Sequence, residues 1–154
     1  MSARLDHHVA LRVSDLDAAI RFWTEGVGGT QATPKRRARG GYFDLLFAPG
    51  SEVTLCYVTF DAGALELFQF SEPQVPVPPV EQTRDAFMHF GVTVPDAEAA
   101  LRRIEEHGGS AVAPVAHILS DESNPRFVYC RSPEGHVFEL LETDNGGVVA
   151  LLGG

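Results

Sequence analysis

Two histidines and two glutamates stand where their chemistry needs a reason. His8 and His89 each open a short run in which apolar and polar residues alternate, HVALRV over 8–13 and HFGVTV over 89–94. Glu66 and Glu139 each sit in a run that is otherwise largely apolar, ALELFQF over 64–70 and HVFELLE over 136–142. An alternating run is a strand with one apolar face, so each histidine lies on the face opposite its apolar stripe. Glu66 shares a face with Ala64, Phe68 and Phe70, and Glu139 shares one with Val137 and Leu141. A carboxylate among such neighbours costs several kcal/mol unless it is protonated, paired or coordinated. Two imidazoles and two carboxylates converging in one cavity would make a site for a divalent ion: nickel, cobalt, zinc, manganese or iron. The lack of thiolate argues against a purely structural zinc site. On an octahedral ion, four protein ligands leave two adjacent positions for vicinal oxygens of a substrate.

The elements that must position these residues are written twice. With His8 placed over His89, Asp15 falls on Asp96, Ala19 on Ala100 and Ile20 on Leu101. Leu16, Ala19, Ile20 and Trp23 fall at helical spacing, and so do Ala97, Ala100, Leu101 and Ile104. Ser14 with Asp17 reads as the first helix start, Asp96 as the second, and GVGG and HGG as the ends. Strand-like runs follow each helix: 41–48, 52–60 and 64–70 in the first half, and 110–117, 126–132 and 136–142 in the second. The expectation is an α+β chain of two tandem βαβββ modules, over 1–70 and 87–145, whose sheets could close around a central cavity. Between them, 71–86 contains Pro73, Pro76, Pro78 and Pro79 and reads as a stiff linker. The apolar segment 146–154 is left as a C-terminal tail.

The motifs HVALRVSDLDAAIRFW, ELF, HFGVTVPDAEAALRRIEEHGG and SPEGHVFELLE, in this order, resemble the vicinal oxygen chelate superfamily. That superfamily includes glyoxalase I, bleomycin-resistance proteins, extradiol dioxygenases and methylmalonyl-CoA epimerase. The resemblance spans residues 5 to 142, and the family's ligand positions fall on His8, Glu66, His89 and Glu139. It implies an open cupped sheet around a central cavity, a homodimer and a metal-dependent lyase or isomerase of glyoxalase type. Such an enzyme moves a proton next to a carbonyl through a metal-chelated enediolate, on a small carbonyl substrate. Glu139, and symmetrically Glu66, would move the proton; Glu52 is a second candidate base, weighed against a solvent-facing place beside a turn. A metal-free protein that binds drugs or aromatic ligands is the alternative from another class. An extradiol dioxygenase is a third reading, opposed by Glu66 as a fourth ligand.

Phe68 and Phe70 are candidates for the apolar wall of a substrate pocket. Lys35, Arg36, Arg37 and Arg39 form a basic knot, and Arg37 and Arg39 are candidates for holding an anionic tail of the substrate. His7, His107, His117 and His136 read as surface, cap or turn residues. The chain has 154 residues, 44% of them hydrophobic and 21% charged, with a net charge of -9. That size fits one compact domain or two small halves. The negative charge argues against nucleic acid or an anionic membrane as partner. No apolar run approaches the ~20 residues that span a bilayer. Without a signal-peptide core, and with Cys56 and Cys130 in apolar runs, a cytoplasmic protein with reduced, buried thiols is expected.

Overall fold

The structure is a computed structural model that describes residues 7–153. The chain divides into two compact units, Met1–Val77 and Pro78–Gly154.

The first unit runs β1 (His8–Val13), α1 (Leu16–Arg21), β2 (Thr30–Gln31), β3 (Arg36–Arg39), α2 (Tyr42–Leu46), β4 (Glu52–Phe60) and β5 (Gly63–Glu72). Its sheet has the order β1-β5-β4-β2, and β3 also pairs with β4. β1 runs parallel to β5, and β4 and β5 form an antiparallel hairpin. The second unit runs β6 (Phe90–Thr93), α3 (Ala97–Glu106), β7 (Ser110–Ala111), β8 (Ala116–His117), β9 (Arg126–Arg131), β10 (Val137–Leu141) and α4 (Asn145–Leu152). Its order is β6-β10-β9-β7, with β8 also on β9. Strand for strand, the first topology is repeated. Each unit is a βαβββ module in an α+β fold, its third element broken into two short edge pieces.

The helices form where their apolar stripes require them. Leu16, Ala19, Ile20 and Trp23 are all buried, as are Ala97, Ala100 and Ile104. They cover the sheet face made by Leu11, Val13, Leu65, Leu67, Cys56 and Val58 in one unit. Val94, Phe138, Leu140, Val128 and Cys130 make that face in the other. Full burial of one such Leu, Ile or Phe side chain contributes about 1.5–3 kcal/mol. The second helix starts on Asp96, whose side chain accepts from the Ala99 N–H. In the first helix that role belongs to Asp15, not Ser14: Asp15 accepts from the Ala18 N–H. Asp17 faces outward and binds Lys35 at 2.8 Å instead of closing a capping box.

A second fastening is duplicated too. Three residues beyond Glu66, Gln69 accepts from the Leu16 N–H and donates to the Ser14 carbonyl. Three residues beyond Glu139, Glu142 accepts from the Ala97 N–H. An odd spacing on a strand puts two residues on opposite faces. The last strand of each unit therefore holds its helix start with one face and presents a glutamate on the other.

Three segments differ from their sequence-based readings. Residues 42–46 are helical rather than extended. Gly40 and Gly41, both at positive φ, turn the chain just before them, and Phe43 and Phe47 then meet one helical turn apart. The edge position is filled instead by the basic run, which forms β3. The 110–117 run is split into β7 and β8 around Pro114, which has no N–H for a ladder. The tail is helical from Asn145, with Asp144 capping it on the Gly147 N–H. No helix among the described residues is long and apolar enough to cross a membrane.

Candidate functional site: a His–Glu pair in each unit

In the first unit, Ala10 stands opposite Glu66 in the β1–β5 ladder, and His8 lies two residues before Ala10. All three occupy the face away from α1. The methyl group of Ala10 leaves room over the carboxylate, and the His8 ring leans into it. His8 Nε2 lies 3.3 Å from Glu66 Oε2. In the second unit, Gly91 stands opposite Glu139 in the β6–β10 ladder, and His89 lies two residues before Gly91. His89 Nε2 lies 3.8 Å from Glu139 Oε2. The same diagonal across the same parallel strand pair occurs twice, with the smallest residues between.

All four side chains are partly accessible, Glu66 and Glu139 at 16% and 17%. Burial pushes the Glu139 carboxyl up, against the pull of His89 and Tyr129. His89 Nδ1 is buried and has no hydrogen-bond partner among the described residues. The polar function of that ring therefore rests on Nε2, the nitrogen facing Glu139.

A divalent ion fits these residues in donor chemistry and, for the first pair, in spacing. Two ligand atoms bound at ~2.1 Å are about 3.0 to 3.4 Å apart for octahedral to tetrahedral angles. The first pair falls in that range, and the second is a few tenths of an ångström wide. Each unit thus brings one imidazole and one carboxylate together. Among the described residues, no group of three or more His, Cys, Asp and Glu side chains is gathered where one ion could be held.

Each pair has a third member that only the register between strands reveals. Tyr57 stands opposite Glu66 in the β4–β5 hairpin, and Tyr129 stands opposite Glu139 in the β9–β10 hairpin. Both phenol rings share a face with their glutamates across the hairpin. The Tyr57 ring meets His8 edge-on at 5.6 Å, and the Tyr129 ring meets His89 edge-on at 4.8 Å. Burial, then the Glu66 hydrogen bond and charge, push the Tyr57 hydroxyl up; burial and the Glu139 charge do the same to Tyr129. The signal was a tyrosine in the penultimate strand of each half, legible once the hairpins are paired residue by residue.

Phe68 lies two residues from Glu66 on the same face. Phe68 and Phe70 both contact Phe47, with ring centroids 5.8 and 5.0 Å away. Arg12 places its guanidinium over Phe70 at 5.1 Å and donates to the Val75 carbonyl. The segment around α2 thus closes over the proposed apolar wall.

The structure does not bring Arg37 and Arg39 to Glu66. Arg37 stands opposite Thr54 and Arg39 opposite Glu52, on the side of β4 turned toward α1. Both pair with the Glu52 carboxylate and line a shallow surface pocket. The Arg37 hydrogen bond holds that carboxyl below its ordinary value against the opposing effect of burial, with Arg39 adding to it. Glu52 is therefore an ion-pair partner and is poorly suited to act as a base. Of the basic run, Arg36 stands opposite Leu55 on the Glu66 face, and Lys35 is taken by Asp17. His107 donates from Nδ1 to the Arg103 carbonyl 2.8 Å away and ends α3. His117 braces a loop at the Asn124 carbonyl, and His136 is buried against Ser132.

Comparison with known proteins agrees with this architecture. The chain is 27% identical over 146 residues to a 2-epi-5-epi-valiolone epimerase from Actinomyces sp., covering 91% of this chain and 80% of that protein. It is 24% identical over 144 residues to a lactoylglutathione lyase of Salmonella typhimurium, covering 91% and 93%. Among solved structures, a glyoxalase family protein from Bacillus cereus superposes with a TM-score of 0.77 at 22% identity, covering 91% of this chain and 95% of that one. Glyoxalase I from Zea mays gives 0.62 at 20% identity, and this chain spans 44% of its length. A sequence profile matches residues 6–140, which takes in both His–Glu pairs, and the chain accordingly belongs to the Glyoxalase/Bleomycin resistance protein/Dioxygenase superfamily.

Proposed function

We propose that this protein is a metal-dependent lyase or isomerase of glyoxalase type, moving a proton next to the carbonyl of a small molecule. The observation that carries the reading is the duplicated His–Glu pair on the open face of the sheet in each unit. The proposed ligands of a divalent ion are His8, Glu66, His89 and Glu139. When bound, such an ion supplies Lewis-acid polarisation of a substrate oxygen. The chain's own residues do the rest. Glu139 takes the proton from the carbon beside the carbonyl and returns it, with Glu66 as its counterpart in the repeat. Phe68 and Phe70 bind the apolar part of the substrate and exclude water from it. Arg37 and Arg39, paired with Glu52 on the other side of β4, stay candidates for holding an anionic tail of the substrate. The homodimer implied by the resemblance belongs to the same proposal, and light scattering checks it.

Support comes from family membership over most of the chain and from relatives named as an epimerase and a lyase. The test joins metal analysis to proton exchange. Purified protein is expected to carry nickel, cobalt, zinc, manganese or iron in stoichiometric amount and to lose it in His8→Ala and His89→Ala. In deuterated water it should exchange the carbon-bound proton of 2-hydroxy carbonyl compounds. Metal-free protein that binds aromatic drugs tightly and exchanges no proton would overturn the reading in favour of a ligand-binding protein.

A further inference from the structure

We propose that Tyr57 and Tyr129 are positioning residues for the two glutamates, each phenol holding one carboxylate oxygen so that the other stays turned toward the paired histidine. The inference rests on the reading of Glu66 and Glu139 as metal ligands and deepens it.

The geometry is duplicated in every part. Each tyrosine stands directly across an antiparallel hairpin from its glutamate. Side chains of directly opposed residues have Cβ atoms about 4.5–5.5 Å apart and share one face. Each ring also abuts its histidine at a near-perpendicular angle, 79° for His8 and 89° for His89. A glutamate between a histidine on one neighbouring strand and a tyrosine on the other has its side chain confined from two sides. Tyr57 and Tyr129 are two of only three tyrosines in the chain. The third, Tyr42, is 73% exposed on α2.

The chemical consequence follows from how carboxylates bind cations. A free glutamate can swing through several rotamers and can bind one-handed or two-handed. A phenol O–H on one oxygen removes the two-handed mode and lowers the entropy lost when the other oxygen takes an ion. Such outer contacts around metal ligands are worth roughly 10–100-fold in metal affinity. A phenylalanine at either place keeps the ring against the histidine and removes only the hydroxyl that would hold the carboxylate.

The experiment uses the full chain, with Tyr57→Phe, Tyr129→Phe and the double variant, and Tyr42→Phe as control. Zinc affinity is measured by competition with a chromophoric chelator, and the cobalt-loaded proteins are compared by visible absorption. Circular dichroism checks that each variant is folded. Each single variant is expected to bind zinc about 10–100-fold more weakly and to shift the cobalt bands; Tyr42→Phe should do neither. If His8→Ala and His89→Ala lose zinc while all the tyrosine variants keep wild-type affinity and spectrum, the ligands stand and this inference alone fails. A fall in melting temperature without any change in affinity or spectrum would assign the tyrosines to packing and overturns it equally. If the wild-type chain binds no zinc or cobalt at micromolar concentration, the ligand assignment fails and the inference goes with it.

Discussion

Glu52 and Glu139 are both glutamates on strands, yet their surroundings push them in opposite directions. Arg37 and Arg39 hold Glu52 as an anion with little appetite for a proton, whereas burial favours the protonated form of Glu139. General base catalysis contributes about 10²–10⁴-fold, so Glu139→Gln should lower turnover by at least about 100-fold. Glu52→Gln should leave turnover within a few-fold of wild type, and steady-state kinetics on the two variants compares them directly. The cysteines make a separate point. Cys56 and Cys130 are free and fully buried, and burial pushes the Cys130 thiol up to about 12 and raises Cys56 as well. A thiolate is the reactive form, so neither should react with an aromatic disulfide reagent in the native protein. Both should react in denaturant, and titration of released chromophore checks this.

At the scale of elements, the last strand of each unit secures the helix start and the glutamate together. Burial alone would raise the Glu142 carboxyl, but hydrogen bonds from the Arg126 guanidinium and from the Ala97 and Arg126 N–H groups outweigh it. A carboxylate held below its ordinary value near 4.5 binds fewer protons folded than unfolded. Its stabilisation is complete above that value and is lost as pH falls through the lowered one. The stability gap between wild type and Glu142→Gln should therefore be constant from neutral pH down to about pH 5 and then shrink; urea melts across pH 3–7 measure it. In α3, Asp96→Ala should cost about 1 kcal/mol as a lost helix cap. Ile104→Ala should cost about 2–5 kcal/mol, because Ile104 is completely buried. Leu45→Ala on α2, at 84% exposure, should change stability by less than about 0.5 kcal/mol.

For the whole molecule, the repeat of topology carries a thermodynamic expectation. A ligand that binds only the folded protein raises stability by about 2.7 kcal/mol at a free concentration of 100 Kd. If the His–Glu pairs hold an ion, added nickel or zinc should raise the melting temperature by several degrees, and a chelator should reverse the rise. Differential scanning calorimetry should find the same treatment without effect on His8→Ala combined with Glu139→Ala.

Much of this was legible in the amino-acid order, because short-range periodicity reports directly on which face of a strand or helix a residue occupies. Alternation placed His8 and Glu66 on one face of their unit, and His89 and Glu139 on one face of theirs. Helical spacing marked Leu16, Trp23, Ala97 and Ile104 for the core, and the duplication marked two βαβββ modules. What the order could not specify was cross-strand register, since pairing is decided by packing between segments far apart in the chain. Only the tertiary structure put Tyr57 against Glu66 and Tyr129 against Glu139, and gave Arg37 and Arg39 to Glu52. It also settled residues 42–46 as a helix: a short apolar run suits either a strand or a helix locally, and the contacts of Phe47 with Phe68 and Phe70 decide between them.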